Sequence, residues 1–290
     1  MSPTRAVPAV LLAVALLVSG CTSTDGPTAP TATSSRSASS APPAADGPAY
    51  VALGDSFTAG PGIEPVDPDS GLCIRSEKNY PSLVASQVRA SSFTDVSCSG
   101  ATTSDVVEGG FNPPQLEAVS DRTGLVTLGI GGNDSGLFAA LSRACTSDVA
   151  SCSAYLQNTL PSVLASTSGR VVSALEAVKG RAPRAQVLLV GYLRIAPGSG
   201  TCSTLGGAAF DAAGVAAGER ALDTMLADAA RSADVTYVSM SRASDGHDAC
   251  AGADAWTNGL QPAADDGIAL HPRAAGMRAV ASAVEKALTG

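Results

Sequence analysis

Hydrophobic and polar positions change character along the chain. An apolar stretch from Val7 to Val18 is followed, from Thr22 to Pro48, by Ser, Thr, Ala and Pro with almost no large apolar side chain. From Ala49 onward, short apolar runs rich in β-branched residues alternate with longer segments whose apolar positions recur every three or four residues. The runs at Ala49–Leu53, Phe93–Val96, Leu125–Ile130, Gln186–Val190 and Val235–Met240 have strand length and are bounded by Gly, Pro, Asp or Ser. The segments Asn79–Arg89, Ala154–Lys179, Ala208–Ser232 and Pro272–Leu288 carry helical periodicity, with Pro272 at a first-turn position. Pro161 and Gly169 are expected to break or kink the second of these. Strands alternating with helices imply a mostly parallel sheet covered on both faces, hence an α/β, three-layer α/β/α, doubly wound domain of flavodoxin-like order. No internal repeat is visible.

The amino-terminal pattern sets the domain organisation. Arg5 precedes an apolar segment too short to span a bilayer, the pattern of an export signal over residues 1–20. Its end, Leu17-Val18-Ser19-Gly20-Cys21, resembles a bacterial lipobox, which implies lipidation of Cys21. Residues 21–48 cannot repay the entropy of folding and read as a disordered tether, a coil that holds the domain roughly 30 Å from the membrane. Residues 49–290 form the globular domain. The protein is expected to be exported and held by a lipid anchor on the outer face of the cell membrane, or secreted.

Composition narrows the partners. The net charge is −8, with no basic run, which argues against a nucleic-acid partner, since a phosphate backbone would have to bind against the overall field. With 45% apolar and 15% charged residues, the chain can bury one large core, and a monomer is expected. Six cysteines remain after Cys21, at Cys73, Cys98, Cys145, Cys152, Cys202 and Cys250. An even number in an exported chain favours disulfides, and no C-x-x-C pair or Cys/His cluster suggests a metal. Fifteen pairings are possible; sequential pairing is adopted, with proximity alone favouring only Cys145 with Cys152.

Candidate chemistry collects where strands end. Gly54-Asp55-Ser56 closes the first strand and places a serine at the mouth of the sheet, although the tripeptide is also ordinary turn chemistry. Ser97-Cys98-Ser99-Gly100 follows the second strand, offering a glycine N–H to a ligand. Gly131-Gly132-Asn133-Asp134 follows the third; Asn133 brings a side-chain amide there, and Asp134 suits a cap on the next helix. A serine nucleophile needs a base, and the histidines are His247 and His271. His271, at the start of the last helix, is preferred over His247, which lies in a cysteine-bracketed loop rich in Gly and Asp.

These blocks, Gly54-Asp55-Ser56, Gly100, Gly131-Gly132-Asn133-Asp134 and His271-Pro272, resemble in type and order those of the SGNH, or GDSL-type, hydrolase family, over nearly all of Ala49 to Leu288. The six cysteines, Asn79-Tyr80-Pro81-Ser82-Leu83 and His247-Asp248-Ala249-Cys250 are similar to the secreted actinobacterial lipase and esterase branch, whose three disulfides support the sequential pairing. The resemblance implies a carboxylic-ester hydrolase with Ser56 as nucleophile, His271 as base, an oxyanion hole of the Ser56 N–H, Gly100 N–H and Asn133 amide, no cofactor and no metal. Its substrate is a small-molecule or lipid ester. The family pattern often has an aspartate three residues before the histidine; here Ile268 stands in that place, so the Ile268 backbone carbonyl is expected to orient His271, with Asp265 and Asp266 as alternatives. Asp55 is expected to be structural. The loops Gly60–Lys78 and Ala196–Ala208 are expected to wall the substrate site. A carbohydrate acetyl esterase of the same fold and a non-catalytic surface lipoprotein remain as other readings, the scarcity of aromatics (4%) weighing against a stacked-sugar site.

Overall fold

The computed structural model describes residues 46–110 and 112–290. The signal segment, Cys21 and most of the tether lie outside the described residues. Five strands, β1 (Gly47–Gly54), β2 (Ala90–Asp95), β3 (Leu125–Gly129), β4 (Gln186–Val190) and β5 (Thr236–Val238), pair in parallel in the order β2-β1-β3-β4-β5. Gly47 and Pro48, assigned to the tether by composition, belong to β1. Parallel pairing is made by backbone groups, Gly47 opposing Ala90, and needs no large side chain there.

Strand alternation divides the core into two layers. On one face Val51 and Leu53 of β1, Val126 and Leu128 of β3, and Val187 and Leu189 of β4 pack against α6 (Leu160–Arg181) and α7 (Ala212–Ser232). On the other, Tyr50, Ala52, Leu125, Leu188 and Val190 meet α2 (Tyr80–Gln87) and α8 (Ala274–Thr289) through Tyr80, Val84, Met277, Val280 and Val284. Both faces of the central strands are therefore buried, as their continuous apolar sequences require.

Several helix boundaries differ from the periodicity. The long segment at Ala154–Lys179 is two helices, α5 (Val149–Asn158) and α6, separated at Thr159. Pro161 occupies the first turn of α6, where its missing N–H costs nothing, and Gly169 lies inside an unbroken helix. The last helix starts at Ala274; Pro272 instead bridges Thr257, and the extended Arg273 precedes the first turn. Two helices were not expected: α3 (Thr103–Val107) and α4 (Leu137–Ser147). Together with the four-residue α1 (Ser56–Ala59), they follow the carboxyl ends of β1, β2 and β3 and frame the site.

Three disulfides join Cys73 to Cys98, Cys145 to Cys152 and Cys202 to Cys250. The first holds the Gly60–Lys78 loop to the Gly100 turn, where the Ser99 N–H and hydroxyl both donate to the Cys73 carbonyl. The second links α4 to α5, and the third ties two loops on the α7 side.

Candidate active site

β1 and β3 end level with each other, Gly54 opposing Gly129, and the Asp55 N–H continues the ladder to the Gly129 carbonyl at 3.0 Å. Beyond this point the backbone turns sharply. Gly54 has φ +153°, and a Cβ there would lie 2.2 Å from Thr58 Oγ1 and 2.7 Å from the Gly129 oxygen, so only glycine fits. On the opposite edge the Gln115 amide acts as a further strand residue, accepting from the Gly54 N–H at 2.8 Å and donating to its carbonyl at 2.9 Å. Asp55 caps α1 by accepting from the Phe57 N–H at 2.9 Å, which places Ser56 at the first helical position. Burial pushes the Asp55 carboxyl up to about 7, against the hydrogen bonds it receives from Tyr192 and Phe57. Both of its oxygens accept hydrogen bonds within this packing, from the Phe57 N–H and the Tyr192 hydroxyl.

Ser56 Oγ stands 2.9 Å from His271 Nε2, and His271 Nδ1 stands 2.8 Å from the Ala269 carbonyl. A carbonyl only accepts, so Nδ1 carries the proton and the Nε2 lone pair faces the serine hydroxyl. The expected acceptor was the Ile268 carbonyl. That oxygen is instead taken by the His271 backbone N–H at 3.3 Å, closing a turn in which Leu270 adopts φ +58° and the next carbonyl, Ala269, is presented to the ring. Neither aspartate reaches the imidazole. Asp266 accepts from Arg273 Nε at 2.9 Å and the Ala274 N–H at 2.6 Å, anchoring the start of α8, while the Asp265 carbonyl accepts from the Glu64 N–H. His247 lies stacked on Trp256, ring centroids 3.9 Å apart, with Nδ1 at the Asp254 carbonyl. Burial lowers the His271 pKa, opposed by the Ala269 carbonyl.

Asn133 and Gly100 occupy adjoining turns. Asn133 Nδ2 donates to the Ala101 carbonyl at 3.0 Å; an amide nitrogen carries two hydrogens, so a second donor remains. Among the described residues no oxygen accepts from the Gly100 N–H. Asp134 was expected to cap the helix that follows it. Buried at 2% exposure, it reaches across to α3, accepting from the Thr103 N–H at 3.1 Å and hydroxyl at 2.5 Å, and it pairs with Arg170 of α6 at 2.9 Å. The β2 and β3 turns are thus fastened together directly behind Asn133.

A cleft of about 500 Å³ opens beside Ser56, Asn133 and His271. Its walls are mostly apolar, with Phe138 and Leu141 of α4, Val215 of α7, and Ile195, Phe210 and Leu270 from loops. Neither the Gly60–Lys78 nor the Ala196–Ala208 loop lines it. The wall is a helix that sequence reading omitted, although Leu137, Leu141 and Cys145 repeat at four-residue spacing. Glu219 also lines the cleft, its carboxyl pushed up to about 8 by burial, and Ser142, Arg143 and Thr146 add polar groups to the lining. Tyr192, Thr103 and Arg170, which brace the site, carry no sequence signal that singles them out. The whole arrangement, a serine hydroxyl on a neutral imidazole beside unspent N–H donors, suits attack on a carbonyl carbon and stabilisation of the oxyanion that forms.

A model of the GDSL-like Lipase/Acylhydrolase family matches residues 52–279. Lipase 2 of Streptomyces coelicolor is 38% identical over 252 residues, covering 80% of this chain and 83% of its own length, and a lipase of Streptomyces rimosus is 34% identical over 247 residues, covering 78% and 81%. Among solved structures, phospholipase A1 from Streptomyces albidoflavus superimposes with a TM-score of 0.71 at 32% identity, over 83% of this chain and 99% of that one. The extracellular lipase of Streptomyces rimosus gives 0.68 at 31%, over 82% and 98%.

Replacing Asp134 with Ala leaves the Thr103 N–H and hydroxyl buried without an acceptor. Equilibrium urea unfolding of Asp134→Ala is expected to show a loss of about 1–3 kcal/mol, the half-exposed Arg170 contributing little of it. An unchanged midpoint would mean that the two turns do not depend on this carboxylate.

Proposed function

The chain belongs to the GDSL-like lipase/acylhydrolase family and is a carboxylic ester hydrolase, and we propose that Ser56 and His271 carry out its chemistry as a dyad. The observation that carries this reading is the continuous hydrogen-bonded line from Ser56 Oγ through the imidazole to the Ala269 carbonyl. Ser56 Oγ attacks the ester carbonyl while His271 Nε2 takes its proton. The carbonyl oxygen, now negative, is received by the Ser56 and Gly100 N–H groups and the free Asn133 amide hydrogen. On collapse, the imidazolium gives the proton to the departing alcohol, leaving an acyl group on Ser56. Water, deprotonated by the same nitrogen, then releases the acid and restores the serine. No carboxylate touches the ring, so the positive charge on His271 is met by a carbonyl dipole alone, and the oxyanion donors carry correspondingly more of the barrier lowering.

The cleft supports a lipid ester as substrate. Phe138, Leu141, Phe210 and Val215 offer an acyl chain an apolar surface and offer a sugar ring few polar partners. The relatives bear names of the same kind, lipase and phospholipase A1. These observations favour an acyl-ester hydrolase over a carbohydrate deacetylase.

Ser56→Ala and His271→Ala are each expected to lower kcat on p-nitrophenyl esters by at least about a thousand-fold, and the double variant to fall no further, since nucleophile and base act as one unit. Asp266→Asn should keep most of its turnover. Catalysis requires neutral His271, whose pKa is lowered by burial. The acid limb of kcat/KM should therefore lie below the ordinary histidine value near 6.5, with activity falling as pH drops through it. A large loss in Asp266→Asn, or an acid limb above 6.5, would replace the dyad with a displaced triad.

Export follows from the apolar leader and three disulfides, which belong to oxidising compartments. We assign Cys21 as the lipidated residue on the strength of Leu17-Val18-Ser19-Gly20-Cys21. In detergent phase separation the full-length protein should enter the detergent phase and Cys21→Ser should not; wild-type protein with an unmodified terminus in the medium would overturn the assignment.

A further inference from the structure

Two turns must keep a fixed separation for the proposed chemistry to work: the one carrying Ser56 after β1 and the one carrying Asn133 after β3. One buried hydroxyl hydrogen-bonds to both. Tyr192, two residues beyond β4 and buried, places its Oη 2.8 Å from the Gly132 N–H, which it accepts, and donates its own hydrogen to Asp55 Oδ2. The Gly132 N–H can only donate, so the phenol oxygen accepts it, and with Asp55 ionised the phenol's own hydrogen goes to the carboxylate. Gly132 immediately precedes Asn133, and Asp55 immediately precedes Ser56 while holding the first turn of α1 through Phe57.

The ring itself is fixed. It packs edge-on against Phe57 at 5.1 Å and against Phe138 at 5.0 Å, so the hydroxyl has little freedom to follow either turn. The glycine is part of the fit: a Cβ at position 132 would lie 2.2 Å from Phe138 Cε2 and 3.0 Å from Tyr192 Cζ.

We propose that Tyr192 is a positioning residue that sets the distance between the Ser56 nucleophile and the Asn133 oxyanion donor by joining their turns in one buried chain, Gly132 N–H to Tyr192 Oη to Asp55 carboxylate. This rests on the roles given above to Ser56 and Asn133. Removing the hydroxyl leaves the fold's apolar packing intact and frees the two turns to drift. Because the Asn133 amide acts on charge that exists only after attack, the drift raises the barrier to the chemical step and leaves ground-state binding alone.

Tyr192→Phe keeps the ring and removes only Oη. Its kcat on a p-nitrophenyl ester should fall about ten- to hundred-fold with KM within about two-fold of wild type. Affinity for a trifluoromethyl ketone, which forms a tetrahedral oxyanion on the serine, should weaken by the same factor. Asp55→Asn removes the acceptor at Oδ2 while keeping one for the Phe57 N–H, and should show the same split; the double variant should lose little more than either single one. A kcat within two-fold of wild type in whichever single variant folds, a fall in kcat with unchanged ketone affinity, or additive losses in the double variant would overturn the proposal. Ser56→Ala run alongside reports separately on the underlying reading, since turnover surviving there removes the nucleophile rather than its positioning.

Discussion

The site depends on β1 and β3 ending level. Parallel pairing of Gly54 with Gly129, extended one step by the Asp55 N–H, fixes where both chains leave the sheet. This is also the place where the strand order turns back, β1 leading outward to β2 and the chain then returning to β3, and such switch points leave a crevice above the sheet. Ser56 and Asn133 stand on its two sides, the Gly100 turn closes a third, and His271 arrives from the loop before α8. Hydrogen bonds around the site keep these turns at fixed separations: Asp134 to Thr103, Asn133 to Ala101, and Asp55 to Tyr192. The groups proposed to react are thus held before substrate arrives, which is what electrostatic stabilisation of a short-lived oxyanion requires.

The proposed base, His271, is oriented without a carboxylate. A carboxylate orienting the imidazole would add a further buried carboxyl to a site that already holds Asp55 and Asp134, and burial already works against ionisation of Asp55. The Ala269 carbonyl sets the same tautomer without charge, and the turn through Leu270 that presents it is held by the His271 N–H on the Ile268 carbonyl and by the Leu270 N–H on the Gly259 carbonyl. Asp266 contributes at one remove, by fixing the start of α8 through Arg273 and Ala274.

Much of this was legible in the chain because it is local. Short apolar runs and three- and four-residue spacings locate five strands and the main helices, and the glycine, serine and asparagine of the site stand at strand ends that a reader can find. Boundaries drifted where a single bond decides them: the break at Thr159, and the start of α8 at Ala274 where Asp266 supplies the acceptor. What sequence could not give was contact between distant segments. Tyr192 looks like any apolar residue after a strand until its hydroxyl is seen between Gly132 and Asp55, and α4 becomes the cleft wall only once the chain folds it over Ser56. Ile268 and Ala269 show the finest grain of the problem, because which of two adjacent carbonyls faces a ring is decided by one left-handed residue, Leu270, just before the histidine.

The central claim is that Ser56, activated by a histidine that leans on a backbone carbonyl, is the nucleophile. The direct measurement is intact-mass analysis and peptide mapping after treatment with a fluorophosphonate, which reacts only with an activated serine. The account predicts one adduct per chain, on Ser56, growing in step with the loss of ester hydrolysis. An adduct on another serine, or inactivation without any adduct, would contradict it.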